Sequence, residues 1–368
     1  MLDVRKIRQN PEEVCNALKL RNQNVSIEPF LLQDEQRRSL LAMAEEKKAL
    51  RNQNSKLLGI ARKNGASEPE ISRMMEQLRN AGNEIEALDA QIAALDRDTE
   101  AFLLTLPNLP HPSVPAGGDE TNNVTVQHFG SPRSFAWEPK RHEEISADLR
   151  LSYSNESADA VAPVLRGLGA RLHMALVCFF LDSFRQDGYE EMLFSSDASI
   201  LDLHRNAIFT ASQLPSCECG FFPWRADAEM EASQILSPDQ SEAALQSMTL
   251  SLKNALLSLG LSGRIVELCT GCLDFCAFKT LALEVWLPSR QVYVRCSSCS
   301  DCSDFAARRL GLRYRTNAKD KPRTAHTVSG SLSLRQVFCA VLETFQNDDG
   351  TVAVPECLIP IMGTDLIR

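Results

Sequence analysis

Two cysteine pairs are the first residues whose spacing could do chemistry. Cys269 and Cys272 stand three apart, and so do Cys299 and Cys302. A pair of such motifs can close a tetrahedral thiolate site on zinc, because each turn offers two soft sulfur ligands. The plainer reading is buried or free thiols, and no zinc is expected. The 12 cysteines lack the dense, regular spacing of a small secreted scaffold, which points to a reducing, cytoplasmic setting. The 6 histidines are scattered, and neither His204 nor His326 has an evident nucleophile nearby, so they read as structural. A second chemistry is charge. Arg37, Arg38, Lys47, Lys48, Arg51, Lys56, Arg62 and Lys63 are eight bases against two acids, Glu45 and Glu46. From Glu68 to Glu100 the balance reverses, with three bases and nine acids. Such sorting means either ion pairing between two helices or a basic edge that tracks phosphates.

The elements that carry those charges are helical. Ile71, Met74, Leu78, Ala81, Ile85, Leu88, Ile92 and Leu95 alternate by three and four, a heptad seam. The preceding stretch, about Gln36 to Ala61, repeats Met43, Leu50 and Leu57 every seven, with Lys47 and Asn54 interrupting. Asn64-Gly65 marks a turn, and Ser67 with Glu70 and Pro69 starts the next helix as a capping box. Together these predict an antiparallel helical hairpin that ends at Leu106. Short helices precede it from Leu2 to Leu32, with a start signal at Asn10-Pro11.

Pro107, Pro110, Pro112 and Pro115, then Gly117-Gly118, read as a stiff linker and the clearest domain boundary. The predicted organisation is residues 1–106, a linker at 107–118, and one mixed domain at 119–368. Helices are expected at Leu168–Gln186 and Asp239–Leu259, and strands at Val266–Leu268, Leu281–Leu287 and Val292–Cys296. The chain is 44% hydrophobic and 24% charged, ordinary for a soluble globular protein. Its net charge of −9 argues against a non-specific coat on nucleic acid. No secretory signal is visible at the start, and the most apolar stretch, Met174 to Leu181, is too short to span a bilayer.

Several strings resemble bacterial-type seryl-tRNA synthetases. They are MLDVRKIRQNPEEV at the start, the hairpin, LPNLPHPSVPAGGDETNNV, LCTG at Leu268–Gly271, LEVWLP at Leu283–Pro288, SSCSDCSDFAARR at Ser297–Arg309, and VLETFQNDDGTVAVPECLIPIMG at Val341–Gly363. The resemblance implies an α+β chain: a coiled-coil arm, then a class II antiparallel sheet flanked by helices. It implies an arm that lies along the long variable arm of a serine tRNA, a catalytic domain that binds ATP, magnesium and serine, and a homodimer. The dimer-forming motif is similar to Gly169–Met192. No membrane partner is implied.

The departures from the family pattern are extensive. The proline that follows the first motif is absent, with several dozen residues after it. The family's Thr-X-Glu serine loop falls at Ser195-Ser196-Asp197, each polar position shorter by a carbon. Phe-Arg-X-Glu becomes Trp224-Arg225-Ala226-Asp227, and the long loop before Glu231 is almost gone. The resemblance gives Arg225 and Asp227 to ATP and Glu231 to the serine ammonium. Glu-Ile-Ser-Ser becomes Arg295-Cys296-Ser297-Ser298, which leaves Ser297 and Ser298 for ATP but removes a magnesium carboxylate. Cys272 replaces an acid. The third motif becomes Ser329-Gly330-Ser331-Leu332-Ser333-Leu334-Arg335-Gln336, which keeps Ser331 for serine and shifts its arginine by one or replaces it with Gln336. The expectation is a tRNA-binding paralogue with weak or lost aminoacylation. The alternatives are an active ligase for serine or another small amino acid, or a protein-binding regulator. Arg225 and Glu231 are then either ligand groups or a leftover ion pair.

Overall fold

The computed structural model describes residues 1–153, 164–193, 199–222 and 229–368. The N-terminal third is helical: α1 (Val4–Gln9), α2 (Pro11–Leu20), α3 (Glu28–Lys63) and α4 (Glu68–Thr105). Pro11 opens α2, where its missing N–H costs nothing. Between α3 and α4 the chain turns at Gly65, whose φ of 75° suits a residue without a side chain. Glu70 then accepts from the Ser67 N–H at 3.2 Å and the Ser67 hydroxyl at 2.9 Å, fixing the start of α4.

All eight predicted seam residues of α4 are buried or half-buried, mostly between exposed neighbours. The seam of α3 differs from the expected one. Met43, Leu50 and Leu57 are exposed, at 46%, 54% and 47%. Leu40, Ala44, Lys47, Asn54, Leu58 and Ala61 take the sheltered positions instead. The reason is the charge on α4. Arg37 pairs with Asp96 and Lys47 with Glu84, so their aliphatic stems line the seam while their heads cross it.

The chain divides into two compact units. One takes in Leu2–Asn16 and Asn24–Pro107; the other takes in Met1, Ala17–Gln23 and Asn108–Arg368. The second unit is built on an eight-stranded sheet. Its strands are β1 (Val124–Phe129), β2 (Glu190–Leu193), β3 (Ser216–Phe222), β4 (Glu229–Leu236), β5 (Gly263–Glu267), β6 (Lys279–Leu287), β7 (Val292–Ser303) and β8 (His326–Ser333). Their order is β1-β5-β6-β7-β8-β4-β3-β2. Every neighbouring pair is antiparallel except β2 with β3, at one edge. The helices are α5 (His142–Asp148), α6 (Gly167–Gln186), α7 (Ser241–Ser258), α8 (Phe305–Leu310), α9 (Leu334–Phe345) and α10 (Ile359–Met362).

One face of this sheet is the core. Leu281, Leu283, Val285 and Leu287 of β6 pack there with Val328 and Leu332 of β8 and Met230 and Ala232 of β4. Leu172, Leu176 and Phe180 of α6, Met248 and Leu252 of α7, and Val337 and Val341 of α9 cover them. Among the described residues α6 is the one helix long and apolar enough to cross a bilayer, but that apolar face is spent on this core.

The proline-rich segment is fastened rather than free. His111 donates its N–H to Phe278, Thr270 to Pro115 and Gly271 to Gly117. A Cβ at Gly271 would lie 2.6 Å from the Gly118 carbonyl oxygen, so only glycine fits there. The buried Arg21 guanidinium completes the strap by donating to the carbonyls of Asn108, Leu273 and Asp274 at 2.6–2.7 Å.

A second buried polar knot ties α5 to α9. The Glu343 carboxylate is fully buried and accepts from the His142 N–H, from the His142 ring at 2.7 Å and from the Ser289 hydroxyl at 2.7 Å. Burial pulls the His142 pKa down, but hydrogen bonds with Cys339 and Glu343 outweigh it and raise the value to about 10. A histidine raised this way stabilises the fold fully below its unfolded value of about 6.5, and the contribution disappears as pH rises to about 10. Melting temperature followed from pH 6 to 10 is expected to fall in wild type, and His142→Gln is expected to flatten that slope. An unchanged slope in the variant would show that His142 is not the titrating group.

Candidate functional site

The other face of the sheet is largely polar, apart from a small apolar cluster around Ala282 and Val266, and strand alternation arranges it in rows. On β6, Thr280, Ala282 and Glu284 alternate with the core leucines and valine. Ala282 pairs with Ser298 of β7, Ser298 with Ser331 of β8, Ser331 with Glu231 of β4, and Glu231 with Gly220 of β3. Three of the predicted residues, Ser298, Ser331 and Glu231, therefore stand side by side on adjacent strands. The Ser298 and Ser331 hydroxyls are 3.0 Å apart. Glu231 accepts from the Ser199 hydroxyl at 2.6 Å and the Ile200 N–H at 3.2 Å.

A parallel row runs Thr280, Ser300, Ser329, Ser233 and Glu218. Thr280 meets Ser300 at 2.8 Å and Ser233 meets Ser329 at 3.2 Å. At its end His204 Nε2 lies 2.8 Å from both oxygens of the buried Glu218. The third row holds Glu284 beside Arg295. A bulge lies between Arg295 and Ser297, so Cys296 and Ser297 both turn toward the core while Arg295 and Ser298 share the open face. Ser297 is buried and pairs with the core residues Leu283 and Leu332, and its hydroxyl donates to the Ser331 carbonyl at 2.6 Å. It is not brought into the row of Ser298, Ser331 and Glu231.

Ser195 and Asp197, and Arg225 and Asp227, lie outside the described residues. In the third motif, Ser333 caps α9 by accepting from the Gln336 N–H, Arg335 is exposed in the first turn, and Val337 is buried. Reading the motifs alone missed Ser199 and Glu218. The period of two along β3 was the available signal for Glu218, because it sets that residue opposite Ser233.

Among the described residues, three carboxylates of the open face have protein partners. Glu231 is held by Ser199 and Ile200, Glu218 by His204, and Glu284 by Arg264 at 2.7 Å. Magnesium needs several oxygen ligands, and a guanidinium has no acceptor, so the donors beside Ser298 do not fit that ion. Cys272 does not repair the loss: burial and a hydrogen bond with Cys269 push its thiol well above the usual range, which keeps it neutral. Among the described residues no three His, Cys, Asp or Glu side chains group as a metal site. Cys299 is buried in the core, which pushes its thiol up to about 12.

The cations of the arm split into two sets. Arg37, Lys47 and Lys48 cross to Asp96, Glu84 and Asp89 of α4, the last at 2.8 Å, and Arg38 pairs with Asp34 of its own helix. Arg62 reaches the Met75 sulfur at 3.2 Å. Arg51, Lys56 and Lys63 are exposed and make no ion pair among the described residues.

Comparison with known proteins agrees with this architecture. Residues 1–110 match the seryl-tRNA synthetase N-terminal domain, and residues 220–345 match the class II tRNA synthetase core domain (G, H, P, S and T). The serine–tRNA ligase of Carboxydothermus hydrogenoformans is 35% identical over 424 aligned residues, covering 100% of this chain and 99% of the relative. That of Geobacillus kaustophilus is 36% identical and is covered in full. Both alignments are longer than the 368 residues of this chain, so dozens of the relatives' positions have no counterpart here. The seryl-tRNA synthetase of Pyrococcus horikoshii, solved with ATP, shares the fold with a TM-score of 0.89 at 24% identity, over 100% of this chain and 99% of that one.

Proposed function

The chain belongs to the seryl-tRNA synthetase family, and from that premise we propose that it is a cytoplasmic, dimeric tRNA-binding protein whose aminoacylation is weak or lost. One observation carries the reading. Where the family pattern implies a magnesium carboxylate on the open face, this chain has the Arg295 guanidinium, which has no lone pair to offer a metal. Adenylate formation depends on positioned charge around the phosphates, so the reversal strikes at the chemical step. The third motif supports the same reading, because its phosphate-bracing arginine is shifted by one, to the exposed Arg335, or replaced by Gln336.

The domain assignment proposed from sequence stands beside this: an arm at 1–106 for RNA, a linker at 107–118 and a catalytic-type domain at 119–368, with ATP as the nucleotide. A serine tRNA is the preferred RNA. A second reading, an active serine–tRNA ligase, is favoured by the side-by-side placement of Glu231, Ser331 and Ser298. In that case Arg225, Asp227, Ser195 and Asp197 complete the ATP and serine sites.

Three measurements test the proposal. The first is serine-dependent ATP–pyrophosphate exchange, beside an intact synthetase. Losing one stabilising group from such a site costs about 2–4 kcal/mol, so exchange is expected near background. Exchange within about tenfold of the control, a gap of only ~1.4 kcal/mol, would establish the ligase reading. The second is tRNA affinity against salt. Neutralising Arg51, Lys56 and Lys63 is expected to flatten the log–log slope by roughly 0.7–0.9 per lost phosphate contact without changing the melting temperature. Neutralising Lys47 and Lys48 is expected to lower the melting temperature of the arm, because their α4 partners are left unpaired. Unaltered tRNA binding by the Arg51, Lys56 and Lys63 variant rules out that face as the RNA contact. The third is light scattering. The sheet edge at β2 exposes Leu193 at 83%, and α6 exposes Met174 at 52%, apolar side chains that a second copy would cover. Twice the monomer mass is expected at micromolar concentration, and a monomer alone would contradict the dimer.

A further inference from the structure

The disagreement between Arg295 and a bound magnesium has a positive counterpart. Arg295 stands on the open face, one side-chain row from Ser298, because the bulge at Cys296 resets the alternation of β7. Its surroundings are firm. Glu284, its neighbour across the strands, is taken by Arg264 at 2.7 Å, and the Arg264 guanidinium stacks on the Tyr293 ring at 4.5 Å. Tyr293 in turn meets Trp286 edge-on at 4.9 Å. Arg295 itself is held only lightly. Among the described residues its ion-pair partner is Glu120, at 3.4 Å, and the Glu120 side chain is 81% exposed. An exposed pair of that length contributes little, so a better anion can displace it. A guanidinium offers paired N–H donors that match two oxygens of a phosphate, and it needs no metal to do so. A fixed positive charge at this place also opposes a divalent cation beside it.

We infer that Arg295 takes the place of a divalent cation in this site, so that the phosphates of ATP are bound without magnesium. This rests on the family reading above and deepens it by stating the charge of the ligand. Free ATP carries two more negative charges than its magnesium complex, so free ATP is the better partner for a fixed guanidinium.

Calorimetry of the full chain with ATP, in EDTA and in excess magnesium chloride, tests it. Wild-type binding is expected to be at least as tight in EDTA. Arg295→Gln is expected to weaken ATP in EDTA by about tenfold or more and to leave adenosine binding unaltered. Arg295→Glu is expected to bind ATP more tightly with magnesium than without. Because Arg295 is a partly exposed side chain, its glutamine variant should melt with wild type, and it carries the test if the glutamate variant does not fold. Wild-type binding about tenfold tighter with magnesium overturns the inference. So does undiminished binding by Arg295→Gln, a glutamate variant indifferent to magnesium, or no ATP binding in either buffer. tRNA binding is measured on the same preparations. If it persists in those cases, the magnesium-free site alone is wrong; if wild type binds no tRNA, the broader reading falls.

Discussion

The open face depends on one constraint, the alternation of side chains along β7 and its reset at Cys296. Ser297 pairs with Leu283 and Leu332, both in the core. Without the extra residue, Arg295 would share that side and carry its charge into the leucine-rich interior, at a prohibitive desolvation cost. With Cys296 bulged toward the core, Arg295 and Ser298 emerge together on the polar side. The rows of serine hydroxyls then follow from register, because β6, β8 and β4 present alternate residues to the same side.

That polar face stays intact because its groups satisfy one another. Hydroxyl meets hydroxyl across the strands, and the carboxylates accept from Ser199, His204 and Arg264. A site whose hydrogen bonds are already made is a stable scaffold. The opposite face supports the sheet with close apolar packing, to the point that a Cβ at Gly330 would sit 2.7 Å from the Met248 sulfur.

In the arm, the same substitution of polar for apolar groups occurs in a helical setting. An apolar seam on α4 faces a mixed one on α3, and ion pairs between the helices make up part of the difference. Surface pairs of this kind contribute modestly one by one, roughly 0.2–1 kcal/mol each. Their greater effect is on orientation, because they fix which side of α3 meets α4. Met43, Leu50 and Leu57 are left facing solvent as a consequence.

The sequence by itself determined the elements with strong local signals. The α4 seam, the capping box at Ser67, the turn at Asn64-Gly65 and the long helices of the second unit were all legible, because period and capping chemistry are local properties. The family strings gave Ser298 to ATP and Glu231 and Ser331 to serine as expectations, and the sheet sets the three on adjacent strands. The tertiary structure alone decided three matters. It chose the facing side of α3, since a heptad count sees hydrophobicity but not the acids on a partner helix. It showed that the proline-rich segment is a strap, because its partners Arg21 and residues 268–278 are distant in sequence. It set the parity of β7 around Cys296, since a bulge is a relation between two strands and leaves no mark on the alternation of either one alone.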